Sequence, residues 1–189
     1  MGKVNVDYKR IARNSKSLKK TSDDIVLKKY EINKGNFLRE FEAHEVTKEI
    51  DGGANASNSS NTLNGIGNLF SFIGFSESDK PIENLSKLLE KSFSINTKRQ
   101  DKNIKYIIDF PTINKIKSET PMPWEPGNSW AQGIEKGISG FSNYIYKRFV
   151  QGRSKEALQA ERKVRPGSYK KTQYLTEIIN NFINNMTKK

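Results

Sequence analysis

The 189-residue sequence contains no cysteine and a single histidine, His44. Without thiols there is no disulfide frame, no thiolate nucleophile, no iron–sulfur cluster and no cysteine zinc site. One histidine excludes a multi-histidine metal site, and any Ser-His-Asp triad would have to run through His44. No stretch approaches the ~18 consecutive apolar residues of a transmembrane helix. Met1-Gly2-Lys3-Val4-Asn5-Val6-Asp7 has no apolar segment and predicts no signal peptide. Val6 stands where a myristoylation motif carries Ser or Thr. Apolar residues are scarce as well, at 34 %, against about 45–50 % in typical domains when Gly is counted with them. The sequence therefore describes a thinly cored protein that leaves surface for neighbours.

What is abundant is positive charge. There are 33 Lys and Arg against 21 Asp and Glu, a net charge of +12. The excess falls in three blocks. Residues 1–20 have Lys3, Lys9, Arg10, Arg13, Lys16, Lys19 and Lys20 against Asp7 alone. Residues 80–117 form a second block and residues 147–171 a third, where Arg148, Arg153, Arg162 and Arg165 concentrate. Such blocks can track phosphates, each neutralised phosphate steepening the salt dependence of binding. A lysine- and asparagine-rich solvated surface explains the first block equally well.

Along the chain, residues 1–21 read as a basic arm, and residues 22–189 as one α+β domain. Thr21-Ser22-Asp23-Asp24 supplies a cap and first-turn acids for a long helix over 22–43, in which Gly35 is a weak point. Residues 51–65, rich in Gly, Asn and Ser, predict a flexible loop. The apolar run from Asn68 to Phe75 predicts a buried strand or packed loop. Pro81 opens a short helix with Ile82, Leu85, Leu88 and Leu89 on one face. Alternation then predicts two strands, around Phe93, Ile95 and Thr97 and around Ile104, Tyr106, Ile108 and Phe110, joined by a polar tip at 99–103. Pro111 ends the second, and a helical turn or two follows over 112–118. Three prolines between Pro121 and Pro126 predict irregular structure there. Asn128 or Ser129 caps a helix carrying Trp130, Ile134 and Ile138, breaking near Gly140 into strand. A further half-buried strand is expected from Leu158 to Val164, and Pro166-Gly167 makes a turn. Tyr174, Leu175, Ile178, Ile179, Phe182, Ile183 and Met186 form the apolar stripe of a C-terminal amphipathic helix over 171–187. The fold class is α+β, a small antiparallel sheet flanked by helices.

Candidate chemistry is sparse. Glu40 and His44 lie one helical turn apart but lack a third ligand of fixed spacing, so a helix-end histidine is the simpler reading. Gly65-Ile66-Gly67-Asn68 begins like a dinucleotide fingerprint, but its third glycine is missing. Glu156 and Glu161 have no motif around them. Asp109, among apolar neighbours in a predicted strand, is the one acid placed to be desolvated, although such a residue more often faces solvent or a cross-strand lysine. The sequence predicts a non-enzyme with no cofactor and no metal.

Two stretches carry a resemblance. The first is His44-x-Val46-Thr47-x-Glu49-Ile50 with Gly53-x-Asn55-Ala56-Ser57-Asn58 and Thr62-Leu63-x-Gly65-x-Gly67-Asn68-Leu69-Phe70-Ser71-Phe72-Ile73-Gly74-Phe75. The second is Pro123-Trp124-Glu125-x-Gly127-x-Ser129-Trp130-x-x-Gly133-Ile134-Glu135-x-Gly137-Ile138-Ser139-Gly140, closing with Lys163-Val164-Arg165 and Tyr174-Leu175. The chain resembles the head–tail joining proteins of tailed bacteriophages, the neck or tail-completion proteins, over roughly residues 40–185. The resemblance implies a virion structural protein of the neck, assembled in the host cytoplasm. It further implies a subunit of a homo-oligomeric, usually six-fold, ring around the DNA channel. Its partners would be portal or adaptor proteins on one side and tail-terminator or tail-tube proteins on the other. No membrane is involved. On this reading Leu69, Phe70, Phe72, Ile73, Phe75, Trp124 and Trp130 are expected at subunit or partner interfaces. Lys98, Arg99, Lys102, Arg153, Arg162, Lys163 and Arg165 are expected to make transient, non-specific contact with the passing genome. A basic nucleic-acid-binding module is the alternative, without a recognised motif of its own.

Overall fold

A computed structural model of the chain describes residues 1–9, 16–63, 67–100, 103–123, 125–136 and 171–188. In chain order these form β1 (Gly2–Lys9), α1 (Lys16–Ala43), α2 (Glu45–Asp51), a 3-10 turn (Gly53–Asn55), α3 (Leu69–Ile73) and α4 (Pro81–Lys91). There follow β2 (Ser94–Gln100), β3 (Asn103–Phe110), α5 (Ile113–Glu119), β4 (Pro121–Met122), β5 (Glu125–Ser129), α6 (Trp130–Lys136) and α7 (Leu175–Thr187). The protein is α+β, as its patterning predicts. Where one domain was expected, the chain divides into two compact units: Met1–His44 with Glu83–Ile116 and Leu175–Lys189, and Glu45–Ile82 with Lys117–Tyr174.

The first unit is a three-stranded antiparallel sheet, in the order β1-β3-β2, with helices α1 and α7 packed together. The predicted alternation sets its faces. Ile104, Tyr106, Ile108 and Phe110 of β3 are buried with Val4 of β1, and opposite residues in an antiparallel pair share a face. Val26 of α1 packs against Ile104 and Tyr106, with Ile95 beside them. Phe182 of α7 is the hub of the remaining core. Its ring lies 6.1 Å from Phe37, 5.2 Å from Phe93 and 5.6 Å from Phe110, edge-on to the first two. Lys29 of α1 donates from Nζ to the carbonyls of Met186 (3.2 Å) and Lys188 (2.6 Å), placing a cation on the negative end of α7.

Two expectations change in this unit. The first nine residues, expected as a basic arm, are an edge strand paired with β3 from Gly2↔Phe110 to Lys9↔Asn103. Of the strand's described side chains Val4 is buried and Lys3 is exposed, too short a pattern to read from a lysine- and asparagine-rich sequence. Gly2 is required at its position, since a Cβ there would lie 2.4 Å from the Phe110 ring. The second change concerns α1, which starts at Lys16, ahead of the predicted cap at 21–24. Asp23, expected in the first turn, lies inside the helix, and its carboxylate accepts from the Tyr106 hydroxyl and from Arg99.

In the second unit several polar side chains tie the backbone. The apolar run expected as strand or loop is the helix α3. The Asn68 side chain accepts from Ser71 N at 2.9 Å, and Gly74, at φ 88°, closes the helix with Phe75 N donating to Phe70 O. A cap and a left-handed glycine with only five residues between them produce a helix too short for periodicity to reveal. The proline-rich segment, expected to be irregular, is the ribbon β4–β5, with Pro121 opposite Ser129 and a register shift beside it. Among the described residues each of the two strands has an outer edge without a strand partner, where a residue without N–H loses no ladder bond. Ser129 Oγ accepts from Gln132 N at 3.1 Å and caps α6, as predicted. The predicted break near Gly140, the strands after it and at 158–164, the turn at Pro166-Gly167 and the loop tip at 101–102 lie outside the described residues.

Candidate functional site

The residues assigned to an interface come together, but inside the second unit. Leu69, Phe70, Ile73 and Trp130 are buried within the chain itself. Phe75 links them, its ring 5.3 Å from Phe70 and 6.0 Å from Trp130. This corrects their assignment to a subunit surface: a short helix can bury three of its five side chains only by packing them into its own unit. Phe72 and Phe75 are half-buried and remain the apolar edge of that cluster, while Trp124 lies outside the described residues.

The loop over 51–65 is tied at several points. Glu49, only 1 % exposed, accepts Leu69 N at Oε1 (2.7 Å) and Ser60 N at Oε2 (2.9 Å). The Asn68 amide donates to the carbonyls of Ala54 (2.7 Å) and Ala56 (3.1 Å). Thr62 and Thr172 share a hydroxyl contact at 3.1 Å, and Thr47 and Tyr174 one at 2.7 Å. Sequence reasoning met Glu49 only inside the resemblance. A single buried acid has no sequence signature, because its partners are backbone amides that every residue carries.

The electrostatic set is divided by the pleat of the sheet. Arg99 stands opposite Ile104 on the helix-covered side and donates to Asp23 Oδ2 at 3.0 Å. Its side chain stays exposed, on the face opposite to that of Lys98. Lys98, one residue away, is on the opposite, exposed side. Lys102, Arg153, Arg162, Lys163 and Arg165 lie outside the described residues.

For chemistry, the described residues contain no group of three or more His, Asp or Glu side chains that could hold a metal. His44 ends α1, its backbone N–H donating to Phe41 O, and the Glu40 carboxylate is engaged by Asn181 at 3.2 Å. Asp109 lies on the outer side of the sheet, where its Oδ2 accepts from Ser94 Oγ at 3.0 Å. Among the described residues no helix is long and apolar enough to cross a membrane. Two strand edges of the first unit, one each on β1 and β2, have no strand partner among the described residues. No protein-family model, curated protein or solved structure matches this chain.

Proposed function

We propose that this protein is a virion structural component of a tailed phage, a neck or tail-completion subunit that joins head to tail around the DNA channel. The reading rests on the resemblance of residues 44–75 and 123–140 to head–tail joining proteins. It is supported by one architectural observation. The first unit has a three-stranded antiparallel sheet whose edge strands β1 and β2 have, among the described residues, no strand on their outer sides. A neighbouring copy can extend such a sheet, and repeated head-to-tail addition closes a ring. The protein is then a scaffold without catalysis or cofactor, acting by geometry: it holds portal or adaptor proteins to tail-terminator or tail-tube proteins.

The test is co-assembly. The purified chain, mixed with portal and tail proteins, is expected to form a discrete ring that bridges them in negative-stain images. A chain that stays monomeric and joins no virion component overturns the proposal.

A further inference from the structure

We infer that the outer face of the three-stranded sheet, around Lys98 and Lys105, docks the phosphodiester backbone of a nucleic acid without reading its bases. The register carries the inference. Lys98 pairs with Lys105, so two ammonium groups project from directly opposite positions on one face. Directly opposite Cβ atoms are about 4.5–5.5 Å apart, and like charges so placed destabilise a sheet. Asp7 stands at the position paired with Lys105 on the other edge strand. Neither Lys98 nor Lys105 has an ion-pair partner among the side chains the structure describes. Lys3 adds a third exposed ammonium on the same face, in the row of Asp109 and Ser94, and Lys9 stands at the position paired with Asn103.

The rest of the face indicates the kind of partner. Asn96 and Ser94 are exposed, and Ile107 at its centre is half-buried. Among the described residues this face has no exposed aromatic platform for stacked bases and no exposed large apolar anchor. Lysines on flexible stems are point charges that suit sequence-independent phosphate contact. A partner that brings its own dense negative charge relieves the Lys98–Lys105 repulsion, which gives this otherwise unfavourable pair a use. Arg99 stands on the other face of the sheet, paired with Asp23.

The inference names the surface that meets DNA under the neck reading and rests on that reading for its biological setting. Its test uses the isolated chain, so its failure and a failure of ring assembly are separate results. Binding of the full chain to a labelled duplex and to the matching single strand is measured across a salt series. With one phosphate neutralised per lysine, Lys98→Gln/Lys105→Gln lowers the slope of log K against log salt by about 2 on the duplex. By the same relation its affinity falls by roughly 10- to 100-fold near 0.1 M salt. Lys98→Gln alone lowers the slope by about 1. Arg99→Gln leaves it unchanged. Because the substitutions relieve a like-charge pair, neither lysine variant is expected to melt below the parent. Any one of three results overturns the inference: an unchanged slope in both lysine variants, an equal loss in Arg99→Gln, or displacement of DNA by polyglutamate at equal charge.

Discussion

Tyr174 is fully enclosed in the second unit, and its hydroxyl lies 2.7 Å from Thr47 Oγ1. Burial disfavours the phenolate and pushes the pKa well above the ordinary 10.0. The Thr47 bond lowers it in part, and the negative charge of Glu135 adds to the rise. The sign of the pH effect follows. A group whose folded-state pKa is raised contributes stability that is present below its unfolded value, about 10, and is lost as pH climbs above it. The melting temperature is therefore expected to fall in alkaline solution beyond about pH 10. Tyr174→Phe removes the titrating hydroxyl and flattens that fall. Tyr30, raised first by burial and then by Glu31, accounts for a residual slope. At neutral pH the same variant leaves the Thr47 hydroxyl without its partner, at a cost of about 1–3 kcal/mol. Melting curves of both proteins from neutral to alkaline pH measure both effects, and parallel alkaline limbs would refute the assignment.

Among the elements, the segment between α2 and α3 depends on one side chain. Each Glu49 oxygen serves one backbone amide, Leu69 at the start of α3 and Ser60 in the loop before it. Hydrogen bonds to a charged acceptor contribute about 1.5–3 kcal/mol each, and an amide left unpaired when buried costs a similar amount. Glu49→Ala should therefore lower stability by about 3 kcal/mol or more. Glu49→Gln should fall between, because its single oxygen can accept from only one of the two amides. Urea unfolding with hydrogen exchange at Ser60 and Leu69 checks this, and a glutamine variant as stable as the parent would refute it. Such a staple was illegible beforehand, whereas other elements were open to reading. Alternation of Phe93–Thr97 and Ile104–Phe110 marked β2 and β3, Pro81 marked α4, and the stripe from Leu175 to Met186 marked α7. In each case a run of side chains repeats the period of its own element. β1 was hidden because its pairing is with residues about a hundred positions away, and α3 because five residues span barely more than one turn. The candidate surfaces were legible only in part. Composition marked Lys98 as basic, but only the register of β2 on β3 shows that Lys105 stands beside it and that Arg99 faces away.

At the scale of the molecule, each of the two units has its own cluster of buried aromatic residues. That of the first unit centres on Phe182, touching Phe37, Phe93 and Phe110. That of the second unit centres on α3 and Trp130, with Phe75 between them. Among the described residues of the second unit, hydroxyls, an amide and a carboxylate add polar ties to the apolar contacts. A thin core thus does not by itself imply surface reserved for neighbours, and the ring proposal leans instead on the sheet edges. The division predicts how damage spreads. Phe182→Ala deletes the ring that joins α7 to α1 and the sheet, a change that costs about 3–5 kcal/mol in a packed core. Native-state hydrogen exchange is expected to show that loss at the amides of β2 and β3, with the amides of α3 and α6 losing less protection. Equal loss throughout would mean that the cores open together. In that case both units would enter any assembly as one cooperative body, and the edges of β1 and β2 would be as stable as α3.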